Sequence, residues 1–173
     1  GVQTCALPIS KELFKDVRKG MGLTEEKDHG MFKAVFVSGG PGSGKDIIIR
    51  EAITDSKFVE LNSNFAFEIL MDKVGLTEKT NDSRREAIRN REPLIINGPA
   101  DDHFRMITIK EELEELGYSS CMVFVDTTDE VSRDRNNRLT KTLAESIRHE
   151  KWELSQESKE SYSNLFKDFI IFN

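Results

Sequence analysis

Residues 33–49 read Lys33-Ala34-Val35-Phe36-Val37-Ser38-Gly39-Gly40-Pro41-Gly42-Ser43-Gly44-Lys45-Asp46-Ile47-Ile48-Ile49. An apolar run rich in Val and Phe, a glycine-dense turn closing on Gly-Lys, and a second apolar start predict a strand, a loop and a helix in that order. This is G-x-x-x-x-G-K, the Walker A or P-loop pattern, in the strand-to-helix context it requires. Glycines let the backbone curl so that several N–H groups converge on one anion. The helix that follows adds the positive end of its dipole. A lysine at the end of such a loop reaches the β- and γ-phosphates of a nucleotide. The candidate phosphate-binding residues are therefore Gly39, Gly40, Pro41, Gly42, Ser43, Gly44, Lys45 and Asp46.

Asp46 departs from the pattern, which has Ser or Thr after the lysine to bind Mg²⁺. A carboxylate is a hard oxygen ligand and can hold Mg²⁺ directly or through water. It can equally cap or charge the N-terminus of the helix.

Working outward, four more short apolar runs follow: Phe58–Leu61, Leu94–Ile96, Cys121–Val125 and Phe169–Phe172. Together with Ala34–Val37 they are mostly continuous rather than alternating, as in strands buried on both faces of a parallel sheet. Helical segments lie between them. Met106, Ile109, Leu113 and Leu116 predict one face of a helix over residues 105–116, stopped by Gly117. Ala66, Ile69, Leu70 and Val74 predict another, ended by Gly75. A longer helix is expected from Leu143 to Tyr162, with Ile147 and Leu154 facing inward. Strands alternating with helices mean βαβ units, with the ligand site beyond the carboxyl ends of the strands. Residues 1–32 read as an N-terminal helical extension, and residues 33–173 as one nucleotide-binding domain.

The string Gly-Gly-Pro-Gly-Ser-Gly-Lys resembles the P-loop of small nucleotide and small-molecule kinases, and the total layout is most similar to the zeta-toxin-like branch of P-loop kinases. That resemblance implies an α/β three-layer fold with a five-stranded parallel sheet in the order 2-3-1-4-5. It implies ATP or GTP with Mg²⁺ as cofactors. It also assigns roles. Asn64 stands where zeta-toxin-like proteins carry the Asp that accepts the proton of the attacking hydroxyl. A neutral amide takes no proton at useful pH, though it can position a substrate; Glu68, one helical turn on, is the nearest carboxylate in sequence. Asn97 stands where the second acidic residue holds Mg²⁺ through water, and Asp101 and Asp102 follow it, either to supply the missing charge or to cap a helix. Arg135 and Arg138, with Lys141 next, match the lid arginines that neutralise charge on a transferring phosphoryl group. The candidate catalytic set is thus Lys45, Arg135, Arg138 and Asn64, and the candidate metal set Asp46, Asn97 and Asp101. Arg84, Arg85, Arg89 and Arg91 fall where small kinases bind an anionic acceptor, or form a solvated basic helix.

The 173 residues carry 25 Lys and Arg against 31 Asp and Glu, a formal net charge of −6. That balance weighs against nucleic acid as a partner, since such binding runs on cations neutralising phosphates. No apolar run approaches the ~18 residues of a membrane span. Cys5 and Cys121 show neither metal-ligand spacing nor a disulfide framework, so a reduced, cytoplasmic setting is the expectation. The absence of an Asn-Lys-x-Asp string after the fourth strand argues against a GTPase of the usual kind. The expected function is a phosphotransferase moving the γ-phosphoryl of ATP or GTP to a small acceptor. The alternative is a pseudokinase-like nucleotide-binding module with weak or no catalysis, for which Asn64 and Asn97 argue.

Overall fold

The apolar runs within residues 33–39, 94–99 and 119–125 become strands covered on both faces, whereas those at 59–62 and 168–172 are only partly buried. The computed structural model describes residues 33–53 and 58–173; the extension expected over residues 1–32 lies outside them. In chain order the elements are β1 (Lys33–Gly39), α1 (Lys45–Ile53), β2 (Val59–Asn62), α2 (Ser63–Met71), α3 (Lys73–Thr77), α4 (Ser83–Arg89), β3 (Leu94–Pro99), α5 (His103–Glu115), β4 (Ser119–Val125), α6 (Asp129–Asn137), α7 (Glu145–Leu165) and β5 (Asp168–Phe172). The five strands form one sheet in the order β2-β3-β1-β4-β5, every pair parallel.

Successive strand residues alternate between two cores. Phe36, Leu94, Ile96, Met122 and Phe124 join Ile69, Leu70, Met106, Ile109, Leu113, Tyr162 and Phe166 on one face. Val37, Ile95 and Val125 meet Ile49 of α1 on the other. Burial on both sides is why the strands show little polar alternation. Phe36 is fully buried, and truncating such a side chain to Ala costs about 3–5 kcal/mol.

The helix ends show how the chain turns at the strand tips. Asn62 caps α2, accepting from Phe65 N at 2.9 Å. Asp102 caps α5, accepting from Arg105 N at 3.3 Å, and Thr128 caps α6, accepting from Val131 N at 3.2 Å. Gly117, at φ 93°, follows the end of α5, as its sequence position suggested.

Three expectations need correction. The second helix does not run to Gly75: it stops at Met71, and Asp72 starts the short α3 by accepting from Gly75 N at 3.0 Å. Val74 is left exposed. In α7, Ile147 and Leu154 face outward, and the buried positions are Arg148, Ser155, Ser158 and Tyr162. That helix lies on polar groups of the P-loop and α6 at its N-terminal half, so its inward face there is polar. Cys121, buried in β4, is disulfide-bonded rather than reduced; sequence separation alone gave no sign of a bridge.

Among the described residues, no helix is long and apolar enough to cross a membrane.

Candidate functional site

The loop between β1 and α1 is a curl with Gly42 at φ 68° and Gly44 at φ 88°, conformations that favour glycine. Its carbonyls are held from outside. Ser132 of α6 donates its hydroxyl to Pro41 O at 2.7 Å, and Arg135 Nη1 donates to Gly42 O at 3.0 Å and to Ser43 O at 2.8 Å. In a trans peptide the N–H points opposite to the carbonyl before it. Anchoring these carbonyls on α6 therefore turns the N–H groups of Gly42 and Gly44 to the far side, a concave donor array suited to an anion. Gly39 and Gly42 have no room for a side chain: a Cβ on Gly39 would lie 2.6 Å from Val125 O, and one on Gly42 2.9 Å from Ser132 O.

Two cavities meet over this loop. One, of about 630 Å³, is lined by residues of the loop itself together with Asp101, Arg138, Leu139, Leu143 and Lys151. The other, of about 760 Å³, is lined by Ile48, Val125, Thr127, Trp152, Gln156 and Phe172 among others. Both touch Ser43, Gly44, Ile47 and Arg135, so a ligand can span them. Apolar and aromatic walls with a few polar groups are the usual make-up of a small-molecule site. At the second cavity, burial works to raise the Asp126 carboxyl, but hydrogen bonds from Lys159 at 2.8 Å and Gln156 at 3.0 Å outweigh it and hold the group below the usual carboxylate range. Asp126 is thereby a fixed anchor for α7. Trp152 is oriented by its Nε1 donating to Thr127 O at 2.9 Å.

At the carboxyl ends of β2 and β3 the polar residues converge. Asn97 Nδ2 donates to Asp46 Oδ1 at 3.1 Å and to Glu60 Oε1 at 3.0 Å. Lys45 Nζ donates to the same Asp46 oxygen at 3.3 Å. Asn97 Oδ1 is buried without a partner. The structure thus brings together Asp46 and Asn97 of the candidate metal set and adds Glu60. Asp101 lines the loop cavity, with Oδ2 2.5 Å from Lys151 Nζ. Asn64 accepts from Arg105 Nη1, and Arg105 also pairs with Asp102 at 2.8 Å.

These oxygens suit Mg²⁺, which prefers hard ligands, few of them from protein, and keeps several waters. Among the described residues no set of three His, Cys, Asp or Glu side chains converges. A cation here would rest on the Asp46 carboxylate; the Asn97 amide, whose Nδ2 now faces Asp46 and whose buried Oδ1 is without a partner, would have to turn over to present that oxygen as a second ligand.

The lid arginines separate. Arg135 is engaged by the loop carbonyls, whereas Arg138 lines the loop cavity. The arginines of the α4 region are tied into their own neighbourhood. Arg85 pairs with Asp72 at 2.7 Å, Arg89 with Glu86 at 3.0 Å, and Arg91 Nε donates to Leu116 O at 2.9 Å; Arg84 lies 4.3 Å from the Phe65 ring centre.

No family model and no curated protein matches the sequence. Solved structures do match. The Pnkp1/Rnl/Hen1 RNA repair complex matches with TM-score 0.56 at 18% identity, over 80% of this chain and 49% of that one, so the chain spans about half of that protein's length. The PezAT chromosomal toxin–antitoxin system of Streptococcus pneumoniae matches with TM-score 0.55 at 12% identity, over 99% of this chain and 81% of that one. Shikimate kinase from Acinetobacter baumannii, in complex with shikimate, matches with TM-score 0.51 at 15% identity, over 86% and 87%. The fold is the P-loop kinase fold. At these identities the likeness carries the architecture, and function rests on the site.

Sequence reasoning missed Glu60, Arg105 and Arg148. For Glu60 a signal existed: Glu60-Leu61-Asn62 alternates polar and apolar, which places Glu60 and Asn62 on one face of β2. Nothing in the sequence marks Arg148, which is fully buried.

Proposed function

We propose that this chain is a P-loop phosphotransferase that binds a purine nucleoside triphosphate with Mg²⁺ and passes its γ-phosphoryl to a small acceptor, in the zeta-toxin-like manner. The observation that carries the reading is the loop whose carbonyls are anchored on α6 while two contiguous cavities meet over it. The larger cavity takes the base and sugar between Ile48, Trp152 and Phe172, and the loop takes the phosphates. Lys45 neutralises the β- and γ-phosphates, and Arg138 faces the transferring group from the lid side. Bound Mg²⁺ supplies charge neutralisation across those phosphates. The acceptor enters at the carboxyl ends of β2 and β3, where Asn64, held by Arg105, positions it. Glu60 supplies the base that Asn64 cannot be, since a carboxylate can take the proton of an attacking hydroxyl.

The test is transfer of label from γ-labelled ATP or GTP to a broad panel of small hydroxyl and phosphate acceptors, beside nucleotide binding. Mg²⁺-dependent transfer that Lys45→Ala abolishes supports the proposal. Nucleotide binding with no transfer to any acceptor overturns it. That result favours a nucleotide-binding module without efficient chemistry, a reading supported by Asn64, Asn97 and the engagement of Arg135 with the loop.

A further inference from the structure

Arg148 is a fully buried arginine on α7 with no place in the proposed chemistry. Its Nε and Nη2 donate to the two carboxylate oxygens of Glu145 at 2.9 and 2.8 Å, a bidentate pair. Nη2 also donates to Asp129 Oδ1 at 2.5 Å, and Nη1 donates to Ser132 Oγ at 2.8 Å. Ser132 is itself fully buried and lies 2.7 Å from Pro41 O.

The direction of this chain is forced. A guanidinium has no acceptor, so Ser132 Oγ must accept from Arg148. A hydroxyl has one hydrogen, and Pro41 O can only accept, so that hydrogen goes to the P-loop. Left alone, a helical serine readily turns back to bond a carbonyl of its own preceding turn. With one lone pair held by Arg148, the hydroxyl is fixed toward Pro41.

Burying an arginine beside two carboxylates is a poor way to make a helix seam stable, since well-packed apolar residues serve that purpose as well or better. What apolar residues cannot do is orient the hydroxyl of Ser132. The peptide it holds is the one whose N–H, on Gly42, faces the phosphate side. Gly42 rests against α6 so closely that a Cβ there would lie 2.9 Å from Ser132 O.

We propose that Arg148 is a positioning residue that acts through Ser132 to hold the Pro41–Gly42 peptide with its N–H turned to the bound phosphates. It touches no ligand. The inference rests on the reading that the P-loop takes nucleotide phosphates, and the experiment separates the two.

The full chain is compared with Ser132→Ala, Arg148→Lys and Arg148→Met. Three quantities are measured: the NMR order parameter of the Gly42 N–H without nucleotide, affinity for a fluorescent ATP analogue, and thermal stability. Ser132→Ala keeps the Arg148 carboxylate pairs and cuts only the link to the loop. It should lower the Gly42 order parameter from the rigid range of about 0.85 toward the flexible range below about 0.6. It should also weaken nucleotide binding by about tenfold, the scale of one lost hydrogen bond. Order parameters in β1 and β3 should stay as in the wild type. Arg148→Lys, a point donor without the fork, should fall between wild type and Arg148→Met. The inference is overturned if Ser132→Ala leaves the Gly42 order parameter at the wild-type value, or if the Arg148 variants lose thermal stability alone. Should Arg148→Met fail to fold, Ser132→Ala still decides. A wild-type chain that binds no nucleotide sinks the proposed function, and the Gly42 order parameter then decides this inference by itself.

Discussion

The side-chain amide of Asn97 lies 3.1 Å from the carboxylate of Asp46, across the gap between β3 and the start of α1. The same amide nitrogen reaches Glu60 at 3.0 Å. Where the resembled kinases place one carboxylate on the third strand, this chain has a neutral donor there with carboxylates on either side. The amide keeps two like charges from facing each other without a partner.

Asn97→Asp should therefore be costly without metal. It replaces the shared donor by a third negative charge, and a lost hydrogen bond to charged groups is worth about 1.5–3 kcal/mol. Thermal unfolding with and without millimolar Mg²⁺ checks this. The variant should melt below the wild type in chelator and gain more from Mg²⁺ than the wild type does.

Glu60→Gln keeps the shape and the contact with Asn97 but removes the proton acceptor. Phosphoryl transfer should fall by about 10²-fold or more, in line with loss of general-base assistance. Nucleotide affinity measured in the absence of Mg²⁺ should stay near the wild-type value. A fall in that affinity matching the fall in transfer would assign Glu60 to binding.

Gly42→Ala puts a side chain at φ 68°, where an L-residue loses roughly 1–2 kcal/mol, and drives its Cβ to 2.9 Å from a backbone carbonyl that cannot turn away. Both stability in denaturant titration and nucleotide affinity should drop. Unchanged affinity in a folded variant would mean that this peptide does not face the phosphates.

The α6–α7 seam should depend on pH through His149. Its ring stacks on Trp152, with centroids 6.0 Å apart. It faces Asp129 at 3.0 Å and Glu153 at 3.4 Å, with Arg148 and Arg133 also reaching Asp129. The hydrogen bond to Asp129, ahead of the opposing effect of desolvation, raises the His149 pKa above its ordinary value. A raised folded pKa means a contribution fully present below the unfolded value of about 6.5 and lost as pH rises through the folded one. Asp129 is held below the usual carboxylate range, first by His149 and then by Arg148, so its contribution appears above its unfolded value of about 3.9 and is lost in acid. Melting curves of the wild type and His149→Gln should differ most between about pH 4 and 6.5 and converge at alkaline pH. A constant difference across that range would remove the ion pair as the cause.

The P-loop, the five strands and their alternation with helices were legible because each is written in local pattern: glycines where the backbone must curl, and continuous Val, Ile and Phe where both strand faces are covered. Asp102 as a cap and Gly117 as a stop were equally local. The inward face of α7 was misread because hydrophobic periodicity assumes an apolar neighbour. Ile147 and Leu154 follow that assumption and are exposed; Arg148 and Ser155 break it and are buried.

The sequence by itself determined that a glycine-rich loop of the P-loop pattern sits between the first strand and the first helix, since that depends only on residues adjacent in the chain. Tertiary structure alone decided what surrounds the loop. Glu60, Asp46 and Asn97 meet because the order β2-β3-β1 brings three distant segments to one sheet edge. Arg148 reaches Pro41 through Ser132 because α7 folds back along α6. Side-chain contacts across dozens of residues are set by packing, which no local pattern in the chain records.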